Sequence, residues 1–169
     1  MEVEVKFPYR DEAEKKVKEM AEFVIEKFEQ DLYFNHPCRD FRKTDEAVRV
    51  RKDSEGITIT YKGPKVDSET KSREEIKLRI DSFENAVEML ERLGFVPVRQ
   101  VNKVRRIYRY EDAIICLDDV EGLGRFIEIE VESDSIDAKE RLFRIAEMLG
   151  YSRGESIRSS YLEMLLEGE

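Results

Sequence analysis

Short segments throughout this chain alternate charged with apolar residues, and that pattern limits the fold more than any other feature. The chain opens MEVEVK. Successive side chains of a strand point to opposite faces. Glu2, Glu4 and Lys6 therefore share one side, and Val3, Val5 and Phe7 the other. The same split recurs. Arg49 and Arg51 oppose Val48 and Val50. Thr58, Thr60 and Lys62 oppose Ile57, Ile59 and Tyr61. Arg73, Glu75, Lys77 and Arg79 oppose Ile76, Leu78 and Ile80. Lys103 and Arg105 share a side with Ile107 and Arg109, and Asp118 lies with Ile114 and Cys116 on a mixed face. Glu128, Glu130 and Glu132 oppose Ile127, Ile129 and Val131.

Strands are expected over 2–7, 30–35, 47–52, 57–62, 73–80, 103–110, 113–119 and 125–132. Helical spacing of Val17, Met20, Ala21, Val24, Ile25 and Phe28 predicts a helix over 11–29. A second, over 83–93, has Ser82 as its cap and Gly94 as its stop. A third covers 137–149, with Asp137 and Glu140 at capping-box spacing, and a short one covers 159–167. Residues 36–46 read as a loop and 65–70 as a mobile polar connection. Tight turns between strands favour antiparallel pairing, hence an α+β fold. The length of 169 residues fits one domain, 1–169.

Two arrangements satisfy this pattern. In one, the charged faces are solvated and the apolar faces form the core. In the other, the apolar faces pack outward against amphipathic helices and the charged faces line a closed eight-stranded barrel. The charged strand faces carry ten bases against seven acids in a chain of net charge −9, the reverse of the overall bias. Bases converging in a low-dielectric lumen call for an anion such as a polyphosphate. Clustered carboxylates without His or Cys suit hard cations.

The acidic balance disfavours nucleic acid and anionic membranes as general partners. Cys38 and Cys116 form no CxxC pair, which suits the cytoplasm. No apolar run spans a membrane, and the N-terminus lacks a signal-peptide pattern. A Ser–His–Asp triad is disfavoured because it would run through His36, the sole histidine.

In order along the chain, Glu2-x-Glu4-x-Lys6, Arg49-x-Arg51, Thr60-Tyr61-Lys62-Gly63, Arg73-Glu74-Glu75, Lys103-x-Arg105, Asp118, Gly122-Leu123-Gly124 and Glu128-x-Glu130 resemble the motifs of the CYTH superfamily, the triphosphate tunnel metalloenzymes. The loop from Tyr33 to Phe41 is similar to the class IV adenylyl cyclase branch, whose relatives include thiamine and inorganic triphosphatases. The resemblance implies an eight-stranded antiparallel tunnel that binds triphosphate with Mg2+ or Mn2+. It implies that Glu2, Glu4, Asp118, Glu128 and Glu130 hold metal. Lys6, Arg49, Arg51, Lys62, Lys103 and Arg105 would grip phosphate, and Glu75 would orient a base or join the metal shell. Glu4, Lys6, Lys62 and Arg105 are the expected catalytic set. Lys77, Arg79, Arg109 and Glu132 are expected at the mouth or in solvent. ATP, thiamine triphosphate and tripolyphosphate are the implied substrates, with cyclisation of ATP to cyclic AMP and pyrophosphate foremost. Triphosphate hydrolysis and binding without turnover are the alternatives. The family also admits a homodimer.

Overall fold

The computed structural model describes residues 1–133 and 137–168. β1 (Glu2–Pro8) leads into α1 (Asp11–Met20) and β2 (Glu22–Asn35), and a single turn, α2 (Phe41–Thr44), precedes β3 (Ala47–Asp53) and β4 (Gly56–Lys62). β5 (Glu75–Ile80), α3 (Phe83–Arg92), β6 (Val96–Tyr110), β7 (Ala113–Val120) and β8 (Gly124–Glu132) follow. α4 (Ala138–Met148) and α5 (Tyr161–Glu167) end the chain, separated by a 3-10 turn at Arg153–Glu155.

All eight strands join one antiparallel sheet in the order β1-β8-β7-β6-β2-β3-β4-β5. The sheet curls into a half-barrel, and its outermost strands do not meet as a full ladder. Residues 71–73, just before β5, bridge the gap instead. Arg73 N donates to Glu2 O (3.1 Å), Glu2 N to Arg73 O (3.2 Å) and Lys71 N to Glu4 O (3.0 Å). The expected strand at 73–80 thus begins at Glu75, and the expected closed barrel is closed by a strap. Arg73 holds the strap in place, since its guanidinium donates to Gly63 O (2.7 Å) and Asp45 O (3.1 Å). The connection at 65–70 is bonded as well, since Lys65 N donates to the Asp45 carboxylate (2.8 Å) and Val66 N to Ser72 O (2.8 Å).

One expected helix is corrected. α1 stops at Met20, and Ala21 is already extended. Residues 22–29 continue as β2, which pairs with β6 along its whole length. EFVIEKF is rich in aromatic and β-branched residues, which favour a pleated surface. β6 correspondingly starts at Val96, with Pro97 opposite Phe34 at a shift in register, a bulge where proline is tolerated. The cap expected of α3 forms, and α5 has one that was not expected. Ser82 accepts from Asn85 N, and Ser160 makes a capping box with Glu163. Asp137 stands at the N-cap of α4 without a capping bond.

The apolar faces point outward into separate clusters. Val3, Val5, Phe7, Ile115, Ile127 and Ile129 pack under α1 and α4, around Val17, Leu142 and Phe143. Val48, Val50 and Phe34 pack under Leu90 of α3. The charged faces point inward and are also buried: Lys6 and Asp31 are 0% exposed and Glu29 is 1%. A solvated polar face would leave such residues wet, so the inside-out arrangement is the one adopted. Leu142, fully buried in the largest cluster, provides a test of this packing. Leu142→Ala is expected to cost about 2–5 kcal/mol, read from the midpoint of urea unfolding.

Candidate active site

β1 and β8 run antiparallel with Glu4 directly opposite Glu130 and Lys6 opposite Glu128. Like charges in direct cross-strand opposition repel, so Glu4 and Glu130 need a neighbouring cation. Oxygens of Glu2, Glu4 and Glu130 lie within 4.8 Å of one another. Burial, reinforced by the Glu2 and Glu4 carboxylates, pushes the Glu130 carboxyl up to about 8. Burial also raises Glu2, and the Lys62 ammonium offsets this only in part. Burial would raise Glu4 too, but the Lys71 ammonium, its hydrogen bond and the Lys62 ammonium together outweigh it and hold that carboxyl near the bottom of the carboxylate range, at about 2. This all-oxygen donor set, short of positive charge, fits a hard divalent cation and not a thiolate- or imidazole-binding metal.

The acid–base partners divide the bases into two ranks. Arg105 forks onto Asp118 (2.7 and 2.6 Å) and reaches Glu128 (2.9 Å). Tyr161 of α5 donates its hydroxyl to the same Asp118 (2.6 Å). Arg51 forks onto Asp31 (2.7 and 2.8 Å) and meets Glu29 at 3.0 Å. Lys103 lies 3.2 Å from Glu29 and 3.3 Å from Asp31. These three bases are held from behind while still lining a cavity of about 610 Å3.

Lys6, Arg49 and Lys62 form the other rank. Lys62 comes no nearer than 3.8 Å to Glu2 and Glu75. Arg49 is buried, meets the Tyr33 hydroxyl at only 3.5 Å, and its Nε has no hydrogen-bond partner. Thr60 Oγ1, on the neighbouring strand opposite Arg49, is orphaned in the same way. Lys6 donates to Ser159 O and stands 4.2 Å over the Tyr161 ring. Burial and the Lys71 ammonium push it down to about 7. Buried donors without acceptors are costly unless an anion arrives to take them.

Of the five carboxylates implied as metal ligands, the structure gathers Glu2, Glu4 and Glu130, and sets Asp118 and Glu128 on Arg105. Five of the six implied phosphate-binding bases, Arg49, Arg51, Lys62, Lys103 and Arg105, line the cavity, as does Glu75, whereas Lys6 is fully buried behind its wall. Burial would raise Glu75, but a hydrogen bond from Glu2 and the Lys62 ammonium hold it down at about 2. Lys77 has a half-exposed side chain, Arg79 bonds Glu55 O, and Glu132 pairs with the N-terminus in solvent. His36 accepts from Cys38 N and packs edge-on against Phe95, a structural role. Both cysteines are free.

Sequence reasoning missed Glu29, Asp31 and Tyr33 on β2, and Lys71 on the strap. The first three form the period-two run Lys27-x-Glu29-x-Asp31-x-Tyr33, which the boundary between the helix expected over 11–29 and the strand expected over 30–35 cuts in two. Their acids offset the expected excess of bases. Lys71 continues the alternating series Arg73-x-Glu75-x-Lys77 by one step toward the N-terminus, beyond the strand expected over 73–80.

The Glu130 shift sets a pH dependence. Its folded pKa of about 8 exceeds the ordinary carboxylate value, so the proton stabilises the native state. That stability is full below about pH 4.5 and is lost as pH rises through 8. In chelator, the wild type should therefore melt progressively earlier than Glu130→Gln between pH 6 and 9. The expected difference is on the order of 2 kcal/mol, read from paired thermal melts across the pH series.

A curled antiparallel sheet whose concave face sets a carboxylate cluster beside bases with few close acidic partners is the kind of tunnel that could take an anion together with a cation. The profile of the CYTH domain family matches residues 1–161, and the chain belongs to that family, whose members are metal-dependent triphosphate-tunnel proteins. A Methanocaldococcus jannaschii protein named putative adenylate cyclase is 40% identical over 169 residues, covering 97% of each chain. Adenylate cyclase CyaB of Aeromonas hydrophila is 30% identical over 139 residues, 79% of this chain and 70% of the other. A Pyrococcus horikoshii OT3 protein of solved structure superposes with a TM-score of 0.93 at 44% identity, with both chains fully covered. Among the described residues, no helix is long and apolar enough to cross a membrane.

Proposed function

We propose that this protein is a metal-dependent enzyme acting on a nucleoside or organic triphosphate, with adenylyl cyclase chemistry foremost. The observation that carries the reading is the placement of three clustered carboxylates, the central one buried, beside three bases that lack close acidic partners. The adenylate cyclase names of the curated relatives support the cyclase assignment.

Glu2, Glu4 and Glu130 would hold Mg2+ or Mn2+, with Asp118 and Glu128 completing the acidic surround. Such a cation supplies Lewis acidity toward phosphate oxygens and lowers the pKa of an attacking hydroxyl. Lys6, Arg49 and Lys62 bind the triphosphate through the donors that protein acceptors leave free. Arg51, Lys103 and Arg105 add a second rank of donors, kept in position by Asp31, Glu29 and Asp118. Glu75 fixes the Lys62 ammonium. Preorganised charges of this kind stabilise a phosphoryl group in transfer without reorganising during the reaction. In cyclisation the ribose 3′-hydroxyl would give its proton to solvent as its oxygen attacks the α-phosphorus, the bond to the bridging oxygen would break, and pyrophosphate would leave against the lysines and arginines. Lys6, with its lowered affinity for a proton, Lys62 and Arg105 are the bases assigned to that charge, and Glu4 is the central carboxylate.

The test is product analysis. The purified protein is incubated with ATP, thiamine triphosphate and tripolyphosphate, each with Mg2+, Mn2+ or chelator. Metal-dependent cyclic AMP and pyrophosphate are expected. Orthophosphate with a diphosphate product would move the protein to the triphosphatases, and binding without any product would reduce it to a binding module.

A further inference from the structure

The strap that closes the sheet delivers a cation into the carboxylate cluster. Thr70, Lys71, Ser72 and Arg73 are all buried, an unusual density of polar residues for a connection between strands. Lys71 Nζ lies 2.9 Å from Glu4 Oε1 and 3.9 Å from Glu128 Oε1. Its backbone is tied to the same glutamate through the 3.0 Å bond to Glu4 O. The strap is also anchored from outside. The Asp67 carboxylate accepts from Glu69 N (3.0 Å), Thr70 N (2.8 Å) and Thr70 Oγ1 (2.9 Å). Lys139 pairs with Asp67, Arg153 with Glu69, and Arg158 donates to Asp67 O. Lys71 is therefore placed by a bonded framework and is not a stray surface side chain.

An ammonium and a divalent cation on one buried carboxylate repel each other strongly, because little water screens them. Glu4 can be satisfied by Lys71 or by a metal, and holding both is costly. The phosphate oxygens of a bound triphosphate would give the displaced ammonium a new partner inside the same cavity. We propose that Lys71 is an internal counter-cation that occupies Glu4 in the metal-free protein and yields it to a divalent cation most readily when a triphosphate takes the ammonium. Metal and triphosphate then bind cooperatively, by reciprocal coupling through one side chain. This inference rests on the metal and triphosphate roles assigned under the proposed function.

The experiment measures Mn2+ affinity by the electron paramagnetic resonance signal of free Mn2+, with and without tripolyphosphate. The proteins are the wild type, Lys71→Gln, Lys71→Met and the charge-preserving Lys71→Arg. With Mn2+ alone, the two neutral variants are expected to bind about tenfold tighter than wild type, and Lys71→Arg to match wild type. Tripolyphosphate should tighten Mn2+ binding to wild type by about tenfold and to Lys71→Gln far less. Equal Mn2+ affinity in all four proteins without tripolyphosphate overturns the inference and leaves the functional reading standing. The same holds if Lys71→Gln only weakens tripolyphosphate binding. Absence of Mn2+ binding in every protein, even with tripolyphosphate, overturns the functional reading itself. Melting curves establish that the variants are folded. Should the neutral variants not fold, acetylation of wild-type Lys71, followed by mass spectrometry, decides. Its rate should rise several-fold when Mg2+ and tripolyphosphate are added, and an unchanged rate contradicts the displacement.

Discussion

Glu4→Gln is expected to reduce metal-dependent turnover by on the order of 10²–10³-fold, because it neutralises the carboxylate at the centre of the cluster. Glu4 faces Glu130 across the β1–β8 ladder, stands within 4.8 Å of Glu2 and Glu130, and takes the Lys71 ammonium. Burial disfavours its charge, yet Lys71 and Lys62 together keep its carboxyl down at about 2, so it is ionised at neutral pH and available to a cation. Glutamine keeps the shape and removes the charge. The variant should remain folded by circular dichroism, lose the enhancement of triphosphate affinity by Mg2+, and keep its metal-independent triphosphate binding. Calorimetric titration with and without chelator reads both quantities. Unchanged enhancement by Mg2+ in Glu4→Gln would place the cation elsewhere.

Arg105→Leu is expected to be the most destabilising single change inside the sheet. The guanidinium forks onto Asp118, reaches Glu128, and lies 3.8 Å from Glu29. All three acids are buried, and removing one partner of such a network leaves uncompensated charge in the interior. The expected loss is about 3–5 kcal/mol by urea unfolding, which for a chain of this size lowers the melting temperature by roughly 10 °C. Leucine preserves much of the apolar stem, so the loss reports charge more than volume. A second change, Asp118→Asn, should restore part of the stability by removing one orphaned carboxylate. Additive losses in the double variant would show that the two groups are not coupled.

The outward half of the fold was legible because its physics is local. Alternation in β1, β3, β4 and β8 named the residues on each face, and Ser82 announced α3 by the oxygen it offers to a free backbone donor. The inward half was legible where acids and bases sat at every second position, as in Glu2-x-Glu4-x-Lys6 and Lys103-x-Arg105. It failed at β2. Val17, Met20, Ala21, Val24, Ile25 and Phe28 satisfy helical spacing, and α1 does obey it as far as Met20. Beyond that point the ladder to β6 outweighs the local pattern, so Glu29 and Asp31 become the supports of Arg51 and Lys103. Lys71 was legible only as one more charge at period two before Arg73, not as a partner of Glu4. Its position depends on where a connection lies against the first strand, and the bonds from Arg73, Asp67 and Arg158 that decide this join residues far apart in the chain. Nor does sequence reveal that Asp118 and Glu128 meet a guanidinium first, since that depends on the β6–β7–β8 register.

The central claim is that one cavity takes a divalent cation on its acids and a triphosphate on its bases at the same time. The most direct measurement is a crystal structure of the protein grown with Mn2+ and tripolyphosphate, with the manganese located by its anomalous scattering. The account predicts an anomalous peak bounded by Glu2, Glu4 and Glu130, with phosphate oxygens on Lys6, Arg49 and Lys62. A tripolyphosphate bound outside the curled sheet, or manganese located away from those three carboxylates, would contradict it.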